Sequence, residues 1–367
     1  MSSAFFRIEM LPARHGDALW VEYGTAQRTR RMLIDGGPLG AYAALDGRLR
    51  RLPAGDQRVE LVVVSHVDTD HIEGLIRLMA EPETRWPIAP EEIWFNGWRH
   101  VEEASTLGGR EGEFLSALIH RRADQIWNRS FAGKAVRTGA LVGNAVDLAD
   151  GMRLTLVSPD AEALAKLRKD WEKNVDRWGL DPGDLDAAWE QLAEENKFHP
   201  EAELTLGPDD RAQELLAQLK GRDPSAANGS SIAFLAEFGG KSCLFLADAH
   251  ANVVCESLKE LGYSEANPLR VDALKLSHHG SDNNVTGELL GLVDAEHYLV
   301  SSNGDIHGHP DEAAIELVTL RSRRPPVLWF NYRSPYNAVW EQRAQAQGAR
   351  FGVRYPPPGE SGITLSL

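Results

Sequence analysis

The sequence predicts an α/β (α+β) protein in which two mixed β-sheets face each other with helices on their outer sides, an αβ/βα sandwich with helical insertions. Three observations predict it. Apolar runs of strand length alternate with helical segments in both halves of the 367-residue chain. One of the most apolar runs, Leu61-Val62-Val63-Val64, leads straight into a loop dense in His and Asp. Two long stretches, at about 98–140 and 160–227, interrupt the rhythm with helical patterns.

The elements follow in order. Strands are expected near 5–10, 18–23 and 31–35, a helix near 40–51 and a strand near 60–65. Ile72 to Met79 reads as the start of a helix, Glu92-Ile93-Trp94-Phe95 as a short strand, and Arg153 to Val157 as the strand that closes the first half at Ser158-Pro159. In the first insertion Phe114, Leu115, Leu118 and Ile119 recur at helical spacing. The second reads as helices near 161–177, 184–196 and 210–220, punctuated by Pro182-Gly183 and Gly207-Pro208. Its Trp171, Trp178 and Trp189 are expected to pack helices against each other or onto the core. A lid over the site is the sharper reading of the same stretch. The second half then gives strands near 231–238 and 241–247, joined by a Gly239-Gly240 hairpin. A helix near 251–261, a strand near 271–276, a helix near 285–293, a strand near 297–301 and a helix near 312–322 follow. Strands near 326–331, 350–354 and 362–367 finish the chain, which is expected to form a single domain over 1–367.

Bulk composition narrows the class. The hydrophobic share of 43% and charged share of 25% are ordinary for a soluble globular protein. A net charge of −15 disfavours long-range attraction to a polyanion, although a metal site supplies local positive charge. Residues 160–223 carry 17 acidic and 9 basic side chains, so about half of the excess lies in one insertion, a surface suited to a protein partner. Cys243 and Cys255 have no CxxC spacing, and a disulfide scaffold is not expected. No apolar run reaches the roughly 18 residues of a membrane span, and the first residues lack the pattern of a signal peptide. A cytoplasmic protein with no membrane association is the expectation.

The chemistry concentrates in His66-Val67-Asp68-Thr69-Asp70-His71, four metal-ligand side chains within six residues at the end of a buried strand. Such a loop delivers imidazoles and carboxylates into a cleft from a rigid base, which is a way to build a catalytic metal site. Asp248 and the His278-His279 pair stand at two other strand ends. A metal-dependent hydrolase is the reading.

The loop resembles the His-x-His-x-Asp-His motif of the metallo-β-lactamase superfamily, with Asp68 in place of the second His. That exchange is typical of the hydrolase domain of ComEC-type competence proteins. Further segments resemble the same branch in the same order. They are Arg14-His15-Gly16-Asp17-Ala18-Leu19, Leu33-Ile34-Asp35-Gly36-Gly37-Pro38, Asn228-Gly229-Ser230-Ser231 before Ile232 to Leu235, Leu244-Phe245-Leu246-Ala247-Asp248 with Ala247 where Gly is usual, Leu274 to Ser281 around the His pair, and His307-Gly308-His309-Pro310. The resemblance runs from about Phe5 to Leu367, apart from the two insertions.

The resemblance implies the sandwich fold and two divalent cations, Zn²⁺ first and Mn²⁺ as the alternative. It implies that His66 and Asp68 hold one cation, that Asp70, His71 and His278 hold the other, and that Asp248 bridges them. Asn228 stands near the position where many relatives have a further His; an amide oxygen is a weak zinc ligand, and Asp68 makes the site harder and more anionic. A bridging hydroxide would attack a phosphodiester, an ester or an amide without a Ser or Cys nucleophile. Asp70, His279 and His309 are the expected catalytic side chains, the two histidines stabilising the developing anion or protonating the leaving group. Asp17, Asp35, Asn228 and Ser281 are expected to support the ligands or bind substrate, whereas His100, His120, His199 and His297 read as structural. A phosphodiesterase or nuclease acting on a nucleotide or short oligonucleotide is the implied function. An ester, lactone or thioester hydrolase, or a non-catalytic metal-stabilised interaction module, stands as the alternative.

Overall fold

Alternating apolar residues at the start of the chain form β1 (Phe5–Met10), β2 (Leu19–Thr25) and β3 (Arg28–Ile34), an antiparallel meander with Phe6 opposite Tyr23 and Trp20 opposite Leu33. This is a computed structural model, and it describes residues 4–100, 110–167, 179–199 and 225–367. The expected strand at 60–65 is split. β4 (Arg58–Val59) pairs with β6 (Ala89–Pro90) outside the main sheets, while β5 (Leu61–Val63) lies parallel to β3 and to β7 (Ile93–Trp94). The remaining strands are β8 (Ala145–Asp147), β9 (Arg153–Ser158), β10 (Ala233–Phe238), β11 (Lys241–Phe245), β12 (Leu269–Lys275), β13 (Val293–Val300), β14 (Val327–Phe330), β15 (Gly352–Arg354) and β16 (Ile363–Ser366).

Two facing sheets result, ordered β16-β1-β2-β3-β5-β7 and β15-β14-β13-β12-β11-β10-β9-β8. Their membership does not follow the two halves of the chain. β9, expected to close the first half, pairs antiparallel with β10 in the second sheet, and the final strand β16 returns to β1 in the first. Local patterning fixes that a segment is a strand, not which edge it joins. β10 and β11 form the expected hairpin, in which Gly239 and Gly240 take φ of 61° and 81°, values that a residue with a Cβ adopts at a cost.

Helices cover both outer faces. They are α1 (Tyr42–Leu49), α2 (Thr69–Ala80), α3 (Arg110–Ala123), α4 (Leu185–Glu194), α5 (Ala226–Gly229), α6 (Ala251–Glu260), α7 (Gly287–Leu292), α8 (Glu312–Arg321) and α9 (Val339–Gln345). Side chains that point inward from both sheets, including Ile8, Val21, Met32 and Trp94 with Leu154, Phe234, Cys243 and Leu299, share the central core. On the outer side of the first sheet, Leu33 and Val62 meet Ile72 and Ile76 of α2, Phe114 and Leu118 of α3, and Leu192 of α4. Behind the second, Leu244 and Leu274 meet Val254 and Leu258 of α6 and Ile315 of α8. The layers are those of an αβ/βα sandwich. Both cysteines are buried and unpaired. Among the described residues no helix is long and apolar enough to cross a membrane.

Helix α3 and the described residues near 195–197 lie against α2. Lys197 reaches Glu73 of α2 at 2.8 Å, and Arg110 reaches Glu195 at 2.8 Å. Trp189 packs against the outer core beneath the Arg121 guanidinium, 4.7 Å from its ring centre. Residues 161–167 are helical as expected; the rest of that segment, the 210–220 helix, Trp171 and Trp178 lie outside the described residues.

One close approach sets the position of α2. Gly36 N–H donates to the His71 carbonyl and Gly74 N–H to the Gly37 carbonyl, at 2.8 and 2.9 Å. A Cβ on Gly74 would sit 2.1 Å from the Gly36 oxygen. Gly74→Ala is therefore expected to lower unfolding free energy by about 1–3 kcal/mol in chemical denaturation. An unchanged denaturation midpoint would contradict the approach.

Candidate metal centre

Six chain segments bring polar side chains to one end of the sandwich. β3 runs into Asp35, β5 into Ser65 to Asp70, β11 into Asp248, β12 into His278 and His279, and β13 into Ser301, while the β1–β2 connection supplies His15 and Asp17. Five residues in these connections, Arg14, Asp35, Ala247, His278 and His279, take left-handed backbone angles with φ between 46° and 60°. Such conformations are costly for residues other than glycine, and their gathering in one place marks a functional end of the molecule. The value of 46° at Ala247 also gives a reason for glycine being usual at that position.

The loop after β5 is held from behind. Asp35 is fully buried and accepts from the Ser65 backbone N–H at 2.7 Å and the Ser65 hydroxyl at 2.6 Å. Its carboxylate also lies 2.8 Å from His71 Nδ1. A proton on that nitrogen leaves the Nε2 lone pair facing forward. Asp68 occupies the N-cap of α2 but makes no cap hydrogen bond; its carboxylate stands 3.5 Å from His66 Nε2 instead. A cap residue diverted from the helix end is consistent with another use for its oxygens.

The opposite sheet supplies the other half. Asp248 lies between the two sets, with Oδ1 3.4 Å from His71 Nε2 and Oδ2 3.9 Å from His66 Nε2, 3.7 Å from His278 Nε2 and 3.7 Å from His279 Nε2. His279 Nε2 also stands 3.2 Å from Asp70 Oδ2, which is 3.7 Å from His71 Nε2. Within the His pair, then, His279 is the buried member that meets Asp70. His278 reaches Asp248 from the more open side and lies 3.0 Å from Asn284 Oδ1.

Four buried donor atoms at this centre, His66 Nε2, His71 Nε2, Asp17 Oδ1 and Asp248 Oδ1, make no hydrogen bond. Buried polar atoms are rarely left so, because each costs the energy of its lost hydration. Asp17, His71, Asp248 and His279 each offer one ligand atom, all within 4.8 Å of one another. Carboxylates and imidazoles gathered this closely are the residue types that hold a divalent cation.

The charges are strongly coupled. Burial alone would push His71 and His279 down, but carboxylates oppose it. Asp248, Asp70 and Asp35 lift His71 well above its ordinary value, and Asp248 and Asp17 lift His279 to about 9. Burial would conversely raise Asp70 and Asp248, yet the adjacent imidazoles hold both carboxyls well below the usual range. Asp17 is lowered too, against burial, by Lys275 and His279.

The rim is a row of further imidazoles. The ring centres of His278 and His309 are 5.5 Å apart, those of His309 and His307 5.7 Å, and those of His307 and His15 6.3 Å. Burial lowers His15 and takes His307 to about 4. His309 Nδ1 lies 3.4 Å from Asp311. Asn228 is buried in α5, and the chain just beyond it is tied to the loop by Ile232 N–H donating to the Ser65 carbonyl at 2.9 Å. Ser281 is buried behind His278, where its N–H donates to the His278 carbonyl at 2.8 Å and its hydroxyl accepts from Asn283 N–H. Those contacts fix the turn that carries the His pair. Sequence reasoning passed over Ser65, Ser301 and Lys275. The last carried a signal, since a lysine inside an otherwise apolar strand needs a buried partner.

Comparisons with known proteins find one partial relative and distant structural matches. No family model matches the chain. ComE operon protein 3 of Bacillus subtilis (strain 168) is 29% identical over 144 residues, a match covering 39% of this chain and 17% of that protein. Among solved structures, the metallo-β-lactamase fold protein YhfI from Bacillus subtilis is 10% identical with a TM-score of 0.43 over 100% of both chains. A mutant of the CmlA β-hydroxylase is 14% identical with a TM-score of 0.40, over 98% of this chain and 54% of that one. Part of the chain is thus similar to a short portion of ComE operon protein 3, and the matches among solved structures are distant. Its buried Asp/His cluster has the make-up of a divalent-metal site.

A pH dependence follows. His279 has a folded-state value of about 9 against an ordinary 6.5, so its contribution to stability is complete below about pH 6.5 and is lost as pH rises through 9. Chelated protein is expected to melt at a lower temperature at pH 9 than at pH 6.5. Saturating Zn²⁺ is expected to abolish that decline, because a ligated imidazole has already given up its proton. A melting temperature of the chelated protein that climbs with pH over this range would contradict the charge arrangement.

Proposed function

We propose that the chain is a metal-dependent phosphodiesterase or nuclease with a two-cation centre, Zn²⁺ or Mn²⁺, acting on a nucleotide or short oligonucleotide. The observation that carries the reading is the position of Asp248, whose carboxylate lies 3.4–3.9 Å from Nε2 of His66, His71, His278 and His279. His66, Asp68 and His278 would hold one cation, and Asp70, His71 and His279 the other, with Asp248 shared. This division moves the second cation's imidazole from His278 to His279, the ring nearer Asp70. Two divalent cations held together supply a nucleophile from water near neutral pH and neutralise charge on the attacked phosphoryl group.

The chain's own residues do the rest. Asp35 holds the His71 ring through Nδ1, so that Nε2 faces the carboxylates. His309, on the rim beside Asp311, is suited to protonate the departing oxygen. The neutral His15 and His307 leave that side free of fixed charge while keeping N–H donors for phosphoryl oxygens. The phosphodiester assignment is supported by the likeness to the ComEC branch, and the net charge of −15 favours a small substrate over long duplex DNA.

Metal analysis of purified protein is expected to give two equivalents per chain. In a panel of bis-p-nitrophenyl phosphate, single-stranded DNA, cyclic dinucleotides and a simple carboxylic ester, turnover is expected with phosphodiesters. His71→Ala or Asp70→Asn is expected to lower kcat/KM by about 100-fold or more with an unchanged circular dichroism spectrum, and Asp35→Asn by about 10–100-fold through metal affinity. Turnover of the ester alone, or undiminished activity in His71→Ala, would overturn the assignment.

A further inference from the structure

Behind the cluster lies a charged pair that the proposed reaction does not use. Lys275 is fully buried at the end of β12, and its ammonium stands 2.7 Å from Oδ2 of Asp17, itself 1% exposed. It also donates to the Leu276 carbonyl at 3.1 Å. Taking an ammonium and a carboxylate out of water costs several kcal/mol each, and well-packed apolar side chains often serve stability as well as such a pair. Tying the two sheets together is therefore an insufficient reason for a charge at this position.

What the pair faces gives a better one. Asp17 Oδ1, which makes no hydrogen bond, lies 3.5 Å from His279 Nδ1, and the same nitrogen lies 2.9 Å from the Ser301 carbonyl. The Asp17 backbone N–H donates to the Asp70 carbonyl at 3.3 Å. A side chain on Gly16 is excluded, since its Cβ would fall 1.8 Å from that carbonyl oxygen. Asp17 thus touches the lysine, the ring of His279 and the loop that carries Asp70.

We infer that Lys275 and Asp17 are positioning residues of the metal centre: the ammonium fixes the Asp17 carboxylate, and Asp17 with the Ser301 carbonyl holds the His279 ring with its proton on Nδ1 and Nε2 turned to Asp70 and Asp248. The inference rests on the two-cation reading.

The test compares Zn²⁺ binding by calorimetry, and melting of the chelated protein, in wild type, Lys275→Met and the double variant Asp17→Asn/Lys275→Met. Lys275→Met is expected to bind Zn²⁺ ten- to a hundredfold more weakly and to melt earlier. The double variant, whose pair is neutral, is expected to regain the melting temperature but keep the weakened binding. Wild-type binding in Lys275→Met, or recovery of both properties in the double variant, would make the pair a structural tie and overturn the inference. A readout on the wild type decides the matter if neither variant folds. In ¹⁵N-histidine spectra of the Zn²⁺-loaded protein, His279 is expected to carry its proton on Nδ1 and to be ligated through Nε2; ligation through Nδ1 overturns the inference. Wild-type protein that binds no Zn²⁺ removes the metal-centre reading itself, and this inference with it.

Discussion

Like charges drawn into a buried pocket repel one another and lose their hydration, and that constraint governs one whole end of this molecule. Asp17, Asp35 and Asp248 are almost completely buried within a few ångströms of three imidazoles. Asp17 and Asp248 stay ionised against burial because Lys275 or an imidazole stands beside each, while Asp35 accepts from Ser65 and lies against His71 Nδ1. The forward-facing atoms of His66, His71 and Asp248 make no hydrogen bond within the protein. A divalent cation resolves that imbalance in the simplest way, so the electrostatics of the fold and the chemistry of the centre are the same question.

The scaffold meets the constraint by holding the strand ends rigidly. Parallel pairing of β3 with β5, of β11 with β12 and of β12 with β13 delivers Asp35, His66, Asp248, His279 and Ser301 to the same end. Helix α2 begins inside the centre, and its buried face is pressed against the Gly36-Gly37 turn by direct backbone contact. The described insertions extend that support. Glu73 of α2 receives Leu39 N–H from the turn below and Lys197 from the insertion above, so a displacement of the insertion would be felt at the helix that carries His71.

Much of this was legible residue by residue. The run from Leu61 to Val64 followed by His66 to His71 announces a buried strand ending in ligands, and α2, α3 and α6 follow from their apolar spacing. The Gly36-Gly37 pair was visible in the sequence, but the separate reason for each glycine was not; Gly37 has φ of 71°, while Gly36 is confined by Leu75. The short helix α9 and the strands β6 and β8 left no such mark, because two- or three-residue strands and a two-turn helix carry too little periodicity to stand out.

The sequence by itself determined the type and order of the long elements, the set of side chains capable of ligation, and the crowding of acidic groups. Those properties are local, written in spacing and residue chemistry. Only the tertiary structure decided that β9 and β16 cross to the opposite sheets, that His279 is the member of the His pair beside Asp70, and that Lys275 answers Asp17 across 258 positions of sequence. Each of these depends on which strand edges meet, on a left-handed turn that reverses two adjacent rings, and on the need of a buried charge for a partner. Such choices are settled by long-range packing, to which a single segment of sequence has no access.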